Sequence, residues 1–368
     1  MMKSIVSGLA TAAICTTMLL GTSSFSMSFE LKGEPKVAFI YAAAAKDGGW
    51  NEAIDAGRAA VEKELGLTVA VAENVPEDAT KLKAAIDLFV KRGFNIIVGT
   101  TYGYSAPIEE AAKTYPDVAF LNASGTTNGP NLESFYARTY QAWYLAGIAA
   151  GSVTDSKKVG MVAGFPVGVV NWDINAFTLG ARSVDPAIEN VAVFTNSWWD
   201  PVREGQVAEA ILDQNVDVIA TDLSSTAPLA AAERRGIASI GYQLDMSHAA
   251  PEGILTSVVF HWDRYLVPTI KSITEGTWTP QEYGAFVGID EGVIGLAPFG
   301  PRVPDEAKAK IAEVEAQMVA GTFNPYAGPI VKQDGSVAVP AGEVISDEAL
   351  WSMDYFVKGV VGTMPAAQ

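Results

Sequence analysis

Residues 36–62, KVAFIYAAAAKDGGWNEAIDAGRAAVE, contain the pattern of strand, loop and helix from which the fold class follows. Its first six residues form a short apolar run, as expected for a parallel strand that is covered on both faces. A small, flexible segment follows over 42–49, and an amphipathic helix then begins at or near Trp50 and Asn51. Ligands of open α/β sheets bind beyond the carboxyl ends of the strands, so Trp50 is placed to stack on a flat ligand.

The rest of the chain repeats this unit. Strands are predicted at 36–41, 68–73, 94–100 and 118–124 with helices between them, which indicates a mostly parallel sheet with right-handed crossovers. Four further strands start 119–123 residues after these (157 − 36 = 121, 191 − 68 = 123, 216 − 94 = 122, 237 − 118 = 119). We therefore predict two similar α/β lobes of roughly 120 residues each, which is a common domain size.

The predicted lobes are built from separate pieces of the chain. Lobe 1 takes residues 35–125 and 258–288, lobe 2 takes residues 126–257 and 289–330, and residues 331–368 form a C-terminal extension. Strands that follow two complete lobes predict that the chain crosses between the lobes more than once. Such a multi-stranded hinge permits a cleft between the lobes to close on a ligand.

Composition and the first residues bear on partners and location. Lys and Arg number 25 against 42 Asp and Glu, and the resulting charge of −17 argues against nucleic acid or an anionic membrane as partner. Residues 1–26 have the basic start, apolar run and small residues of a signal peptide, which predicts secretion. Cys15, the only cysteine, lies inside the apolar run, so we expect no lipid anchor there and no thiol chemistry in the mature chain.

Aromatic and polar side chains follow the predicted strands, where a ligand site is expected. Aromatic rings with a few amides and carboxylates describe a pocket that stacks a planar ring and hydrogen-bonds its edge. The candidate ligand-binding residues are Trp50, Asn51, Tyr102, Tyr104, Trp172, Trp198, Trp199, Asp222 and Asp245. The alternative interpretations are packing between the lobes for the aromatic residues and helix N-capping for the two aspartates.

Few residues or motifs in the sequence support an enzymatic function. His248 and His261 are the only histidines, which leaves little for a catalytic triad or a histidine metal cluster. Neither a phosphate-binding loop nor a dinucleotide fingerprint follows a strand, and no motif places a carboxylate pair for glycoside chemistry. We expect no catalytic residue, metal or cofactor.

A series of motifs over residues 35–325 resembles the basic membrane protein (BMP) family of ABC-transporter substrate-binding proteins, also called purine-nucleoside-receptor-like proteins. The motifs are DGGWN, TTYGY, NAFTLGARSVDP, NSWWDP, SSTAP and ILTSVV. The resemblance implies a type I periplasmic-binding fold with two Rossmann-like lobes, a three-stranded hinge and a ligand cleft. It also implies a periplasmic location, a purine ligand, an ABC permease in the inner membrane as partner, and a monomer.

The same resemblance suggests residue roles. Trp50 and Asn51 match an aromatic–Asn signature of the family, NSWWDP supplies a second aromatic ring, and Asp245 matches an acidic position. Phe260 stands where nucleoside-binding members usually carry a Lys that meets the ribose, and DLSSTAP replaces a glycine-rich loop. These departures suggest a free, adenine-like purine base. A sugar receptor, a secreted nucleoside hydrolase and a receptor for a sensor kinase remain as alternatives.

Overall fold

The structure is a computed structural model, and it describes residues 29–364 of the chain. The predicted signal peptide and Cys15 lie outside these residues. Within them, no helix has the length and apolar character that crossing a membrane would require.

Strands and helices alternate along most of the chain. The strands are β1 (Lys36–Ile40), β2 (Thr68–Ala72), β3 (Ile96–Gly99), β4 (Ala119–Ala123), β5 (Leu132–Ala137), β6 (Lys158–Ala163), β7 (Glu189–Phe194), β8 (Val218–Thr221), β9 (Ala238–Gln243), β10 (Ile254–Phe260), β11 (Ala285–Val287), β12 (Ile294–Leu296), β13 (Ile330–Val331), β14 (Val337–Val339) and β15 (Val360–Val361). The helices are α1 (Trp50–Leu65), α2 (Ala79–Lys91), α3 (Ser105–Thr114), α4 (Thr139–Gly151), α5 (Gly168–Val184), α6 (Pro201–Leu212), α7 (Ala227–Arg234), α8 (Asp263–Thr274), α9 (Asp305–Val319) and α10 (Asp347–Trp351).

Two sheets with the same core topology form the two lobes. The strand order is β11-β5-β4-β3-β1-β2 in lobe 1 and β12-β10-β9-β8-β6-β7-β15 in lobe 2. All pairs in these sheets are parallel except β10 with β12. The central strands β1, β3 and β4 are almost wholly buried, as a parallel sheet covered by helices requires. The predicted α/β class with two Rossmann-like lobes is therefore confirmed.

The repeat extends to a fifth pair of strands that the sequence pattern did not reveal. β1 and β6 start 122 residues apart (158 − 36), and so do β5 and β10 (254 − 132). The aromatic and small residues of 136–153 predict a helix from residue 136, but residues 132–137 form β5 and α4 starts at Thr139. Every residue of β5 is buried, so its sequence lacks the polar alternation that would mark a strand.

Sheet pairing moves two of the predicted lobe boundaries. β5 pairs with β4 and so belongs to lobe 1, whereas residues from 126 onward were assigned to lobe 2. β10 pairs with β9 from Ile254 to Val259 and belongs to lobe 2, whereas residues from 258 were assigned to lobe 1. The chain crosses between the sheets three times, after β5, after β10 and between β11 and β12.

The C-terminal extension joins lobe 2. β13 and β14 form a short antiparallel hairpin with Asp334 and Gly335 between its strands, and Asp-Gly is a favoured hairpin turn. β15 then adds a parallel strand to the edge of the lobe 2 sheet beside β7. The extension is therefore a part of lobe 2 and not a separate tail.

Candidate functional site

The site begins where β1 ends and α1 starts. Asp47 organises this turn, because its carboxylate accepts hydrogen bonds from the backbone N–H groups of Gly49, Asn51 and Glu52 at 2.9, 3.1 and 3.1 Å. A carboxylate suits the first turn of a helix, where N–H groups lack intrahelical partners. The turn thereby fixes the next side chain, Trp50.

Trp50 lies at the centre of a cluster of aromatic rings that joins the two lobes. Its Nε1–H donates to the carbonyl oxygen of Thr100 at 2.7 Å, which sets the orientation of the ring. The ring centroid lies 6.1, 5.5 and 5.9 Å from those of Tyr136, Phe260 and Trp262. Trp172 and Tyr242 of lobe 2 extend this group through Tyr136 and Phe260. We call these six residues the aromatic cluster.

Two buried carboxylates face the aromatic cluster from lobe 2. Asp173 lies on α5 and accepts a hydrogen bond from the Thr139 hydroxyl at 2.6 Å. Asp222 directly follows β8, is 5% exposed, and its buried Oδ2 has no hydrogen-bond partner. Burial, and after it the nearness of groups that include both carboxyls, raises the pKa of Tyr136 and of Tyr242, so the acids lie beside the cluster.

The surroundings of the two acids disfavour their charged forms. Burial raises the pKa of Asp222 well above its ordinary value. Burial, followed by the nearby charge of Asp222, raises the pKa of Asp173 in the same way. A buried acid without a partner costs free energy, because it has given up its hydrogen bonds to water. The site is therefore suited to a ligand that brings hydrogen-bond donors.

The two lobes touch directly at this edge. Gly49, between β1 and α1, lies so close to lobe 2 that an added Cβ would be 2.3 Å from Cβ of Ser224 and 2.5 Å from Oε1 of Gln243. Ser224 follows β8 and Gln243 ends β9. The carboxyl edges of both sheets therefore meet with the cleft closed.

Residues with left-handed backbone lie at the carboxyl ends of equivalent strands. Asn74 (φ 55°) follows β2 and Asn196 (φ 52°) follows β7, while Ser124 (φ 57°) follows β4 and Gln243 (φ 73°) ends β9. Positive φ is uncommon for residues other than glycine, and such strain concentrates at functional sites. Both lobes thus bear strain on the edges that face each other.

The candidate residues from the sequence fall into three groups. Trp50, Trp172 and Asp222 lie in or beside the aromatic cluster, and buried Asn51 follows Trp50 on α1. Trp172 is not in a loop as predicted, since α5 begins at Gly168 and holds the ring in the interior. Its Nε1–H donates to the Thr139 hydroxyl at 2.8 Å.

A second group has exposed rings near the carboxyl edges of the strands. Tyr102, Trp198 and Trp199 are 66%, 53% and 55% exposed. Trp198 packs its indole over the backbone of Gly164, at the end of β6, and edge-on against Phe165 at 4.9 Å. Trp198 thus has one ring face on lobe 2 while much of its surface stays free.

The structure does not bring the remaining two candidates to the cluster. Tyr104 is fully buried on the far side of the lobe 1 sheet, where its hydroxyl donates to the carbonyl oxygen of Val75. Asp245 is exposed, and its carboxylate accepts from the N–H of Ser247 at 2.9 Å within the same loop. It is not the N-cap weighed as the alternative, because Met246 holds the N-cap position of the short helical turn Ser247–Ala249. Side-chain direction within a loop depends on φ and ψ, which the sequence pattern does not give.

Sequence reasoning missed Asp173 and Tyr136. Asp173 lies within α5 and Tyr136 within β5, whereas the sequence candidates are residues that follow the predicted strands. One signal was available: NWDIN, residues 171–175, places polar residues among apolar ones in a helix that is otherwise buried. Polar side chains at buried helix positions call for partners or a function.

Comparisons with known proteins identify the family. The model of the family described as ABC transporter substrate-binding protein PnrA-like matches residues 34–323. The chain belongs to this BMP/PnrA-like family. It is accordingly an ABC-transporter solute-binding protein, in a family that is generally non-enzymatic. Among the described residues, no group of three or more His, Cys, Asp or Glu side chains could hold a metal ion.

Individual relatives differ in what their names say they bind. A purine-binding protein of Brucella abortus is 37% identical over 332 residues, which span 90% of this chain and 94% of that protein. A putative ABC transporter glucose-binding protein of Haloferax volcanii is 34% identical, over 89% of this chain and 81% of that protein. A transcriptional activator of the comK gene from Bacillus halodurans has a similar structure, with a TM-score of 0.72, 25% identity, and coverage of 79% of this chain and 99% of that one.

Replacing Gly49 by Ala should prevent full closure of the cleft. The backbone of Gly49 has φ −156° and ψ −116°, outside the regions that residues with a Cβ favour, so the methyl group strains this turn as well as meeting Ser224 and Gln243. We expect a larger radius of gyration by small-angle X-ray scattering, together with a lower melting temperature. Gly129→Ala is the matched control, because a Cβ there meets nothing within 4 Å. Identical scattering from Gly49→Ala and the wild type would contradict the contact.

Replacing Asp222 by Asn should stabilise the ligand-free protein. The folded protein holds the Asp222 proton more tightly than the unfolded chain, so this group's contribution to stability falls as the pH rises above the ordinary Asp pKa of about 3.9. We expect the free energy of unfolding to rise by about 1–3 kcal/mol at pH 8 and by less near pH 4. Urea titrations at both pH values measure this difference.

Asp245→Asn is the control for that variant, because its carboxylate is exposed. An equal gain at both pH values, or a loss of stability at pH 8, would show that Asp222 is not the strained acid described above.

Proposed function

We propose that this protein is the periplasmic receptor of an ABC importer and that it binds an adenine-like purine base in the cleft between its lobes. The observation that carries the proposal is the unpartnered, buried carboxylate of Asp222 beside a cluster of aromatic rings. A purine base has flat faces for the rings and N–H or amino donors for the acid. The purine-binding name of the 37% identical Brucella abortus relative supports this ligand class.

The chemistry around Phe260 favours a base over a nucleoside. Phe260 is 5% exposed, stacks on Trp262 with centroids 4.9 Å apart, and meets Trp50 edge-on. Phe260 itself offers a ribose no hydrogen-bonding group. A buried sugar hydroxyl without a partner would lose affinity, so the free base is the better match.

Trp198 is our candidate for the ring that stacks on the base from lobe 2. Gly164, on which its indole packs, also lies close to Leu223, the neighbour of Asp222. Trp198 therefore lies near the acid that would hold the edge of the base. Trp199 is equally exposed, and its backbone N–H donates to the Ser197 hydroxyl.

A sugar is the second candidate ligand, because a 34% identical relative is named as a putative glucose-binding protein and aromatic rings also stack on sugars. A sugar site needs polar side chains that hydrogen-bond the many hydroxyls of the sugar, whereas the aromatic cluster is mostly apolar. A nucleoside hydrolase differs from both kinds of receptor, because it would convert its ligand into products.

A thermal-shift screen tests the ligand class directly. We expect adenine and related bases to raise the melting temperature, and ribose, glucose and uracil to leave it unchanged. Ligand at 100 times its dissociation constant adds about 2.7 kcal/mol to the stability of the folded state. A response to sugars alone would refute the proposal, and a response to nucleosides alone would refute the argument from Phe260. Chromatography of the recovered ligand reveals any turnover.

Trp198→Ala should weaken binding of adenine by roughly 5- to 150-fold, because stacking of a base on an aromatic ring is worth about 1–3 kcal/mol. Isothermal titration calorimetry measures this change. Trp199→Ala is the matched control, with the same substitution at a neighbouring, equally exposed indole. Wild-type affinity in Trp198→Ala, or an equal loss in both variants, would exclude the assignment of Trp198.

A further inference from the structure

We propose that residues 324–362, here called the strap, form a functional part of the cleft and hold the two lobes in the closed state. The strap contains β13, β14, α10 and β15, and it lies beyond residue 323, where the match to the family ends. This inference rests on the proposed function in one respect: its first test uses adenine as the ligand.

The strap is fixed firmly to lobe 2 along α5. The buried hydroxyl of Tyr326 donates to the carbonyl oxygen of Trp172 at 2.6 Å. Asn171 and Asn175 donate to the carbonyl oxygens of Met353 and Tyr355 at 2.7 and 2.8 Å. The N–H of Val357 donates in turn to the side chain of Asn175, and β15 pairs with β7. Strap and lobe 2 therefore move as one body.

Two side chains of the strap reach the strands of lobe 1 at the hinge. Trp351 lies 5.8 Å from Tyr136 on β5 and 5.3 Å from Phe286 on β11. The carboxylate of Asp347 accepts two hydrogen bonds from the guanidinium of Arg138, at 2.7 and 2.9 Å, at the crossing that follows β5. The guanidinium itself lies 4.0 Å over the Phe286 ring.

Trp351 also covers the aromatic cluster. Its ring lies 5.2 Å from that of Trp172, and its carbonyl oxygen would be 2.1 Å from a Cβ added at Gly168, the first residue of α5. Trp351 is 39% exposed, whereas Trp172 beneath it has no exposed surface. The strap thus seals the hinge side of the cluster with a side chain that touches both lobes.

Rotation of lobe 1 away from lobe 2 has to change these contacts, because the strap is attached to lobe 2. The contacts therefore favour the closed state, from which a trapped ligand cannot leave. Trp351 contributes more than the Arg138–Asp347 pair, since that pair is partly exposed and exposed ion pairs are worth little. Removing Trp351 should speed ligand release without slowing capture, which takes place in the open state.

Stopped-flow kinetics with adenine test this inference. In Trp351→Ala we expect the dissociation rate constant to rise by about 10-fold, equivalent to 1.4 kcal/mol, with an unchanged association rate constant. Trp351→Phe should restore part of the effect, and Asp347→Asn should raise the dissociation rate by about 2- to 5-fold. A purely structural role would lower the fraction of binding-competent protein and leave the dissociation rate of the remainder unchanged.

Asp334→Asn is the control, because Asp334 lies in the exposed turn of the same strap and bonds only to nearby Ser336. Wild-type dissociation rates in both Trp351→Ala and Asp347→Asn would overturn the proposal. If Trp351→Ala fails to fold, the dissociation rate of Asp347→Asn tests the proposal by itself.

A distance measurement separates this proposal from the choice of ligand. Spin labels at Lys81→Cys and Val202→Cys, with Cys15 replaced by Ser, lie at the starts of α2 and α6, the equivalent helices of the two lobes. Without ligand, Trp351→Ala should lower the population at short label distance, and Asp334→Asn should not. Identical distance distributions in Trp351→Ala and in the wild type would refute the proposed role of the strap. A failure of adenine to bind the wild type would refute only the purine ligand.

Discussion

The carboxyl edges of two parallel sheets meet in this protein, and most other features depend on that contact. Gly49 of lobe 1 touches Ser224 and Gln243 of lobe 2 with no room for a methyl group. Since every strand of a parallel sheet ends at the same edge, each loop after a strand faces the opposite lobe. The repeat of about 120 residues provides two such edges, and the three chain crossings let them approach and separate.

The carboxyl edges of the two sheets carry features that lower the stability of the folded protein. Asp173 and Asp222 are buried without a basic partner, and left-handed backbone recurs at equivalent positions of both lobes. Each feature costs free energy in the ligand-free protein. A ligand with flat faces and hydrogen-bond donors would recover part of that cost, which gives a physical reason for a receptor to keep them. The fully packed neighbours Phe260 and Trp262 then limit the size of that ligand.

The strap adds to the lobes beyond the residues that the family model matches. The family match ends at residue 323, yet the residues after it cover α5, extend the lobe 2 sheet and reach the hinge strands of lobe 1. Trp351 joins the same aromatic network that begins at Trp50, through Tyr136 and Trp172. In this protein the site and the hinge are thus packed against one another.

The fold class, the repeat and the positions at which a site could lie are predictable from the chain alone, because apolar strands and their loops are local patterns. Trp50 and Asp222 are predictable for the same reason, since each directly follows a strand or its loop. Which side chains meet is known only once the chain is folded: folding adds Tyr136 and Asp173 to the site and places Asp245 outside it. The direction of a side chain depends on backbone angles, and the site and the hinge bring together residues that lie more than a hundred positions apart. A local sequence pattern gives neither of these.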